Sequence, residues 1–244
     1  MRFSVITLFP DQVRSFLSQS IIGRALEKDI ISLECFDIRE FAQGQYLKVD
    51  DTLYGGGTGM LMQCEPVYKC YEAVCASSEH KPYVIYVSPK GHVLNQMKVI
   101  DLSKKEHVAI ICGHYEGIDA RVLDEIVDEE ISIGDYVLTG GEIASVVIID
   151  SVSRMLEGVL PNTEAFTNES HMNGLLEPPQ YTKPREWHGR EVPEVLCSGN
   201  QAQIDEYNRT MALLETLQKR PDMLDKLTIS EEDWQKVLAN KPEN

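Results

Sequence analysis

Short apolar runs alternate with amphipathic stretches through most of the first 160 residues. Alternating or continuous apolar positions predict five strands, at 3–8, 30–38, 83–87, 108–112 and 130–133. Apolar residues at helical spacing predict helices between them, one beginning at Pro10 and the others at 65–76, 94–102 and 120–127. The first helix is expected to place Val13, Phe16 and Leu17 on one face. This alternation is typical of an α/β domain.

The segment 142–156 is predicted to form a helix that is apolar around most of its circumference. Such a helix is expected to be buried on several sides or to meet a second subunit. Arg154 lies late in this segment, and a buried guanidinium needs an anion nearby. An ion pair with Asp150, four residues earlier, is the plain structural alternative to a functional role.

The pattern breaks between 158 and 174, where Asn, Thr and Ser replace the apolar positions. A long segment of this kind is usually a linker or a functional loop. Proline-broken chain follows, and then predicted helices at 201–219 and 230–238, the second with Ser230 as its cap. We therefore expect an α/β domain at 1–160, a linker at 161–173 and a small, mostly helical domain at 174–244.

Three glycine-bearing loops directly follow predicted strands, at 86–91, 112–119 and 132–142. Glycine lets the backbone approach a ligand closely, and the ends of neighbouring parallel strands meet at one edge of a sheet. Each loop alone is compatible with a simple turn. Together they predict a site that holds an adenosine through backbone hydrogen bonds and through apolar walls such as Ile133 and Leu138. None matches the dinucleotide fingerprint, and the glycine-dense stretch at 49–60 lacks a Walker lysine.

The formal net charge of −16 argues against a protein that grips nucleic acid over its whole surface. The stretch 181–190 is the exception, because it combines several cations with aromatic residues. That mixture suits phosphates and stacked bases. Its cations are Lys183, Arg185 and Arg190, interleaved with Tyr181, Trp187 and His188.

The remaining composition narrows the class of protein. The six cysteines form no Cys-x-x-Cys pair, so reduced thiols are expected rather than a zinc site, and Cys112 is expected to pack in the core. No apolar stretch approaches the length that spans a bilayer. The first residues lack the features of a signal peptide, and a cytoplasmic protein is expected.

Six motifs together resemble the bacterial tRNA (guanine-N1)-methyltransferases of the TrmD family. They lie at 8–10, 49–57, 112–117, 132–142, 150–154 and 196–200, in family order over essentially the whole chain. The resemblance implies the SPOUT fold, an α/β domain with a deep trefoil knot formed by the three glycine loops, plus a small, mostly helical C-terminal domain. It also implies a homodimer.

The resemblance further implies S-adenosylmethionine-dependent methylation of N1 of the guanosine immediately 3′ of the tRNA anticodon, preceded by another guanosine. The product would be 1-methylguanosine, which supports reading-frame maintenance. Glu169 would be the general base and Arg154 would lie near guanine O6, while Mg²⁺ is expected for turnover, with Glu116 as a candidate seat. Lys183, Arg185 and Arg190 are the candidate RNA-binding residues. The donor would be bound by Tyr86, Val87, Ser88, Pro89, Gly113, Tyr115, Glu116, Gly117, Ile133, Gly134, Asp135, Tyr136, Val137, Leu138, Gly140 and Gly141.

The chain departs from the family pattern at several positions. Glu169 and His171 replace the usual aspartate and phenylalanine, Thr52 and Leu53 replace a common Arg-Pro pair, and Ala144 replaces a common proline. Gln201 and Asn208 stand where histidine and arginine are common, and these changes are expected to alter contacts to RNA. Two rival functions stay open on the sequence alone. One is a SPOUT enzyme for another RNA position, and the other is a non-catalytic sensor of an adenosine ligand or RNA-binding module.

Overall fold

The structure, a computed structural model, describes residues 1–42, 47–161, 166, 169–225 and 227–240. The chain divides into two compact units, Met1–Asn162 (unit 1) and Thr163–Asn244 (unit 2). Of the predicted linker at 161–173, residues 162–165 and 167–168 lie outside the described residues. The linker and the domain boundaries at 160 and 174 stay predictions.

Unit 1 is built around a five-stranded sheet in the order β2-β1-β6-β5-β7, in which all neighbouring strands are parallel. The mixed α/β class with a parallel sheet is therefore confirmed, whereas the knot stays an expectation. Strands β3 and β4 form a separate antiparallel hairpin, and part of the glycine-dense stretch that was predicted to be a loop connects them. The strands are β1 (Arg2–Thr7), β2 (Ser32–Asp37), β3 (Asp50–Thr52), β4 (Met60–Met62), β5 (Tyr83–Val93), β6 (His107–Cys112) and β7 (Glu129–Ser132).

The core of unit 1 consists of two apolar clusters. Strand β6 is buried along its whole length, and its residues alternate between the clusters: Val108, Ile110 and Cys112 belong to one, Ala109 and Ile111 to the other. This burial on both faces explains the continuous apolar run in the sequence. Cys112 packs in the core, as predicted.

The helices of unit 1 are α1 (Pro10–Leu17), α2 (Ser20–Glu27), α3 (Cys64–Ala76), α4 (Gln96–Ser103), α5 (Ala120–Ile126) and α6 (Glu142–Ser153). Helix α1 begins at Pro10 as predicted and buries Val13 and Leu17, but Phe16 is exposed. The predicted apolar face is therefore buried only at Val13 and Leu17. Helix α2 was missed by the sequence analysis.

Helix α6 ends at Ser153, earlier than predicted, and Arg154 is its C-cap residue rather than an internal one. The helix buries one broad face that includes Ile148, Ile149 and Val152. Ile143 and Val147, one helical turn apart, are exposed. Part of the apolar surface therefore has no cover within the described chain.

Unit 2 has a small apolar core formed by Leu175, Ala212, Leu213, Leu214, Leu224 and Val237. Ser230 caps the last helix by accepting a hydrogen bond from the Asp233 N–H, as predicted. The hairpin and the short α8 were not predicted. The elements are β8 (Glu186–Trp187), β9 (Arg190–Glu191), α7 (Gln201–Lys219), α8 (Pro221–Leu224) and α9 (Glu231–Ala239). Within the described chain, no helix combines the length and apolar character needed to cross a bilayer.

Candidate functional site

The three glycine segments line one cavity of about 490 Å³ in unit 1. Strands β6, β5 and β7 are neighbours, so the three segments, which lie within β5 or directly after β6 and β7, come together. Every predicted donor-binding residue lines this cavity except Asp135. The sequence analysis did not include His114 or Leu123, which also line it. That these residues contact a methyl donor stays a prediction.

The first segment is not a loop at the end of a strand, as predicted, but a bulge within β5. The pairing of β5 with β7 shifts between Val87 and His92, so both residues face Ile131 and the residues between them leave the ladder. A Cβ on Gly91 would lie 2.5 Å from backbone atoms of Glu130. Only glycine allows β5 to return so close to β7 after the bulge.

Tyr86 connects the first segment with the second. A Cβ on Gly113 would lie 2.8 Å from the Tyr86 hydroxyl, and one on Gly117 would lie 3.3 Å from it. Burial raises the pKa of Tyr86 to about 12, with the charges of Glu130 and Cys112 acting in the same direction. The hydroxyl therefore stays protonated and can donate a hydrogen bond at the cavity wall.

The third segment packs directly against the second. The Gly141 N–H donates to the Gly113 carbonyl at 3.1 Å. A Cβ on Gly141 would lie 2.7 Å from the Cα of Cys112 and equally close to a methyl of Val87. Glycine at this position is a steric requirement, because backbone cannot yield as a flexible side chain can.

A buried hydrogen-bonded group beneath the cavity joins three distant parts of the chain. The Glu142 carboxylate accepts from the Thr7 hydroxyl at 2.5 Å and from His114 Nε2 at 2.8 Å. Burial acts to raise the pKa of Glu142, but the hydrogen bonds from His114 and Thr7 outweigh it and hold the pKa below its ordinary value. The sequence analysis did not predict this group. The one feature of the sequence that could have indicated it is the acidic residue Glu142 at the start of an otherwise apolar helix.

The second segment is also tied to β4. The Met62 N–H donates to the Gly117 carbonyl, and the Asp119 N–H donates to the Met62 carbonyl, both at 3.0 Å. Hydrogen bonds from Arg121 are the main reason that the pKa of Asp119 is lowered far below its ordinary value. Asp119 is therefore a poor proton acceptor.

The described residues do not form a protein cage for a metal ion. Among them, no three His, Cys, Asp or Glu side chains lie so that they could hold a metal ion together. Glu116 supplies a single carboxylate beside Gly59. Mg²⁺ usually requires one or two carboxylates together with substrate oxygens and water, so protein residues alone do not define a seat for it here.

The two candidate catalytic residues belong to different units. Arg154 is partly buried directly after α6 in unit 1, and Glu169 is partly buried in unit 2. The Glu169 carbonyl accepts from the Met172 N–H at 3.1 Å, and the adjacent Ser170 hydroxyl accepts from the Glu177 N–H at 3.0 Å. The turn that carries Glu169 is thus held by its own unit, while a meeting of Glu169 with Arg154 stays a prediction.

The candidate RNA-binding residues Lys183, Arg185 and Arg190 are all exposed in unit 2. Two of them lie on or beside the β8–β9 hairpin, whose strands pair Trp187 with Arg190. The structure therefore brings cations and an aromatic ring together on one small element.

Comparison with known proteins identifies the family of this chain. A sequence model described as tRNA (Guanine-1)-methyltransferase TrmD matches residues 1–226. A tRNA (guanine-N(1)-)-methyltransferase of Ruminiclostridium cellulolyticum is 50% identical over 227 residues, 93% of this chain and 97% of that protein. Proteins of the same name from Finegoldia magna and Clostridioides difficile are each 47% identical, over 93% of this chain and 96% and 98% of their own. The chain therefore belongs to the tRNA (guanine-1)-methyltransferase family TrmD.

Proposed function

We propose that this protein transfers a methyl group from S-adenosylmethionine to N1 of a guanosine in tRNA. The observation that carries the proposal is the glycine-lined cavity at the edge of β5, β6 and β7, in a chain matched by the TrmD family over residues 1–226. The proposed target is the guanosine immediately 3′ of the anticodon, preceded by another guanosine. The product, 1-methylguanosine, would help to maintain the reading frame.

The cavity suits the proposed donor in size and chemistry. Its volume of about 490 Å³ is within the usual range for small-molecule sites. Closely packed glycine backbone offers N–H and C=O groups to an adenine base, and Ile133 and Leu138 offer apolar walls. When bound, S-adenosylmethionine supplies a methyl group that is already activated by its sulfonium. The contribution of the protein is to hold that group in line with the acceptor nitrogen.

The acceptor nitrogen needs a base. N1 of guanine carries a proton and becomes a nucleophile only when that proton is removed. Glu169 is the proposed base, because it keeps a carboxylate where the family has an aspartate. As the proton leaves, negative charge develops towards O6, and the Arg154 guanidinium is the proposed group that stabilises it. Asp119, held ionised by Arg121, is a poor substitute for Glu169.

Two further features complete the proposal. The enzyme acts as a homodimer, for which the exposed Ile143 and Val147 of α6 are the support within unit 1. Lys183, Arg185 and Arg190 contact tRNA phosphates. Turnover is also proposed to depend on Mg²⁺, with Glu116 as a candidate carboxylate ligand.

The test is methyl transfer to an unmodified tRNA transcript, with the modified base mapped. We expect label from S-adenosylmethionine at N1 of the guanosine 3′ of the anticodon and no label when that guanosine is replaced by adenosine. Label at another position would indicate a different RNA-modifying specificity. Donor binding without any transfer to tRNA would indicate a sensor. Repeating the assay with EDTA tests the metal expectation separately.

A further inference from the structure

The β8–β9 hairpin in unit 2 has a defined tip. Trp187 pairs with Arg190 and Glu186 with Glu191, which leaves His188 and Gly189 as a two-residue turn. Both turn residues have positive φ, 51° and 74°, as the tight hairpin turn requires. The ladder continues outward, because the Val192 N–H donates to the Arg185 carbonyl at 2.9 Å. The backbone position of Trp187 is therefore set by the hairpin.

This register separates the charges of the hairpin. Residues directly opposite each other lie on one face, and successive residues alternate between faces. Arg185, Trp187 and Arg190 therefore share one face. Glu186 and Glu191 share the other. The cations in the sequence are thus gathered beside the aromatic ring, and the carboxylates of the same strands point away from it.

The Trp187 ring has an open surface. It is 63% exposed, although a tryptophan is usually largely buried. In the described chain, the His188 ring is its one aromatic neighbour. The centroids of the two rings are 4.3 Å apart and their planes are inclined at 85°. The two rings meet edge to face and do not stack. This contact restrains the Trp187 ring while most of its surface remains free.

We propose that the Arg185–Trp187–Arg190 face is a stacking site for an unpaired nucleobase of the tRNA substrate. The proposal deepens the function proposed above and rests on tRNA being the substrate. An indole stacks on any base, and the flanking guanidinium groups suit the phosphates on either side of that base. The open indole face beside two cations favours RNA, because RNA offers both a base that can stack on the ring and phosphates for the guanidinium groups.

The experiment uses Trp187 itself as the reporter. The chain has two tryptophans, Trp187 and Trp234. The Trp234→Phe variant keeps an aromatic ring at the partly buried position beside the unit 2 core and leaves Trp187 as the sole indole. Unmodified tRNA transcript is added to this variant, and tryptophan emission is followed. We expect saturable quenching of the emission, since stacking on a base brings the indole into direct contact with it.

Affinity measurements in the otherwise wild-type protein separate stacking from charge. Trp187→Ala is expected to weaken tRNA binding roughly tenfold without changing the slope of log K against log salt, and Trp187→Phe to restore part of the loss. Arg185→Gln with Arg190→Gln is expected to reduce that slope. An unchanged melting temperature and unchanged donor binding in the Trp187→Ala variant serve as its folding control.

The proposal is overturned if saturating tRNA leaves the Trp187 emission unchanged, or if Trp187→Ala binds tRNA as the wild type does. It is also overturned if the emission changes with protein concentration alone, because a second copy would then cover the ring. The function itself fails separately, when wild-type protein that binds tRNA does not methylate it. In that case quenching by tRNA would still support the stacking site.

Discussion

At the scale of single residues, the Glu142 carboxylate is a buried charge that is held by two hydrogen-bond donors. It is 3% exposed, and it accepts hydrogen bonds from Thr7 at the end of β1 and from His114 beside the cavity. It also lies in the first turn of α6, where the helix dipole favours negative charge. A Cβ on Gly140 would lie 2.7 Å from this carboxylate. The carboxylate therefore packs directly against Gly140 of the third glycine segment.

Replacing Glu142 by glutamine should destabilise the protein by roughly 1–3 kcal/mol at neutral pH, because buried partners lose a charged acceptor. The pKa of Glu142 is lowered in the folded state, so its ionised form contributes stability above its ordinary pKa. That contribution is lost as the pH falls through the lowered pKa. Urea unfolding of wild type and Glu142→Gln should therefore show a difference at pH 7 that narrows under acidic conditions.

Glu79→Gln is the matched control, because Glu79 is an exposed glutamate of the same unit. It should change the free energy of unfolding by a few tenths of a kcal/mol at most. Equal unfolding curves for Glu142→Gln and Glu79→Gln would contradict the role given to the buried carboxylate.

Glu169→Gln should reduce turnover roughly 10²–10⁴-fold, the usual contribution of a general base. Glutamine keeps the size and hydrogen bonding of the side chain but removes its basicity. Single-turnover methylation of tRNA measures the effect, and donor binding, measured by calorimetry, should be unchanged because Glu169 lies outside the cavity lining. Glu169→Asp should retain substantial activity. Near wild-type turnover of Glu169→Gln would move the role of base to another group, with Glu116 the first to test.

At the scale of elements, the long apolar strands and helices were predictable from the sequence, but the register in which the strands pair was not. The apolar runs at 83–87 and 108–112 and the periodicity of α3, α4 and α7 carry a local signal. The bulge in β5 depends on how it pairs with β7, about 40 residues away, which no local pattern records. The hairpins β3–β4 and β8–β9 were missed because their strands are only two or three residues long, which is too short for an alternating pattern to be recognised.

In the candidate site too, features that depend on local sequence were predictable, and contacts between residues far apart in the sequence were not. Glycine-bearing segments after strands predicted the cavity lining, and all but one of the predicted residues line it. The Thr7–Glu142–His114 group was not predictable, because Thr7 and Glu142 are separated by 135 residues. The Tyr86 hydroxyl leaves little room for a side chain at Gly113 or Gly117, and this restriction is likewise visible only in the folded structure.

Gly141→Ala should weaken S-adenosylmethionine binding by about 5- to 150-fold, since overpacking of this kind typically costs about 1–3 kcal/mol. The new Cβ would collide with the Cα of Cys112 and with Val87, so the second and third segments must separate. Calorimetry of donor binding measures the change. Gly199→Ala is the control, because a Cβ there meets no heavy atom within 4 Å and only its positive φ is strained. Equal donor affinity for both variants would contradict the close packing described for the cavity.

At the scale of the whole molecule, charge and apolar surface give different information about partners. The net charge of −16 opposes RNA binding in general, so we expect tRNA contacts to be concentrated where cations are gathered, as on the β8–β9 hairpin. The exposed apolar residues of unit 1 favour a protein partner instead. Phe16 of α1 and both Ile143 and Val147 of α6 are exposed, and these two helices pack against each other.

A second copy of this chain is the partner that we expect on the exposed side of α6. Isoleucine and valine one turn apart form an apolar stripe, and burial of that stripe on association is favourable by roughly 25 cal/mol per Å². Val147→Asp places a charge in the stripe, where it would lose its water on association. Light scattering should therefore give a dimer mass for wild type and a monomer mass for this variant, with loss of methylation.

Leu238→Asp provides the matched control for this last change. Leu238 is 62% exposed and belongs to α9 in unit 2, far along the chain from the α6 stripe. An aspartate there adds the same charge to another exposed apolar position, so the dimer mass and turnover should be retained. Far-UV circular dichroism of both variants separates dissociation from unfolding. A wild-type protein that is monomeric and fully active at working concentration would contradict the dimer, and a dimeric, active Val147→Asp variant would place the interface elsewhere.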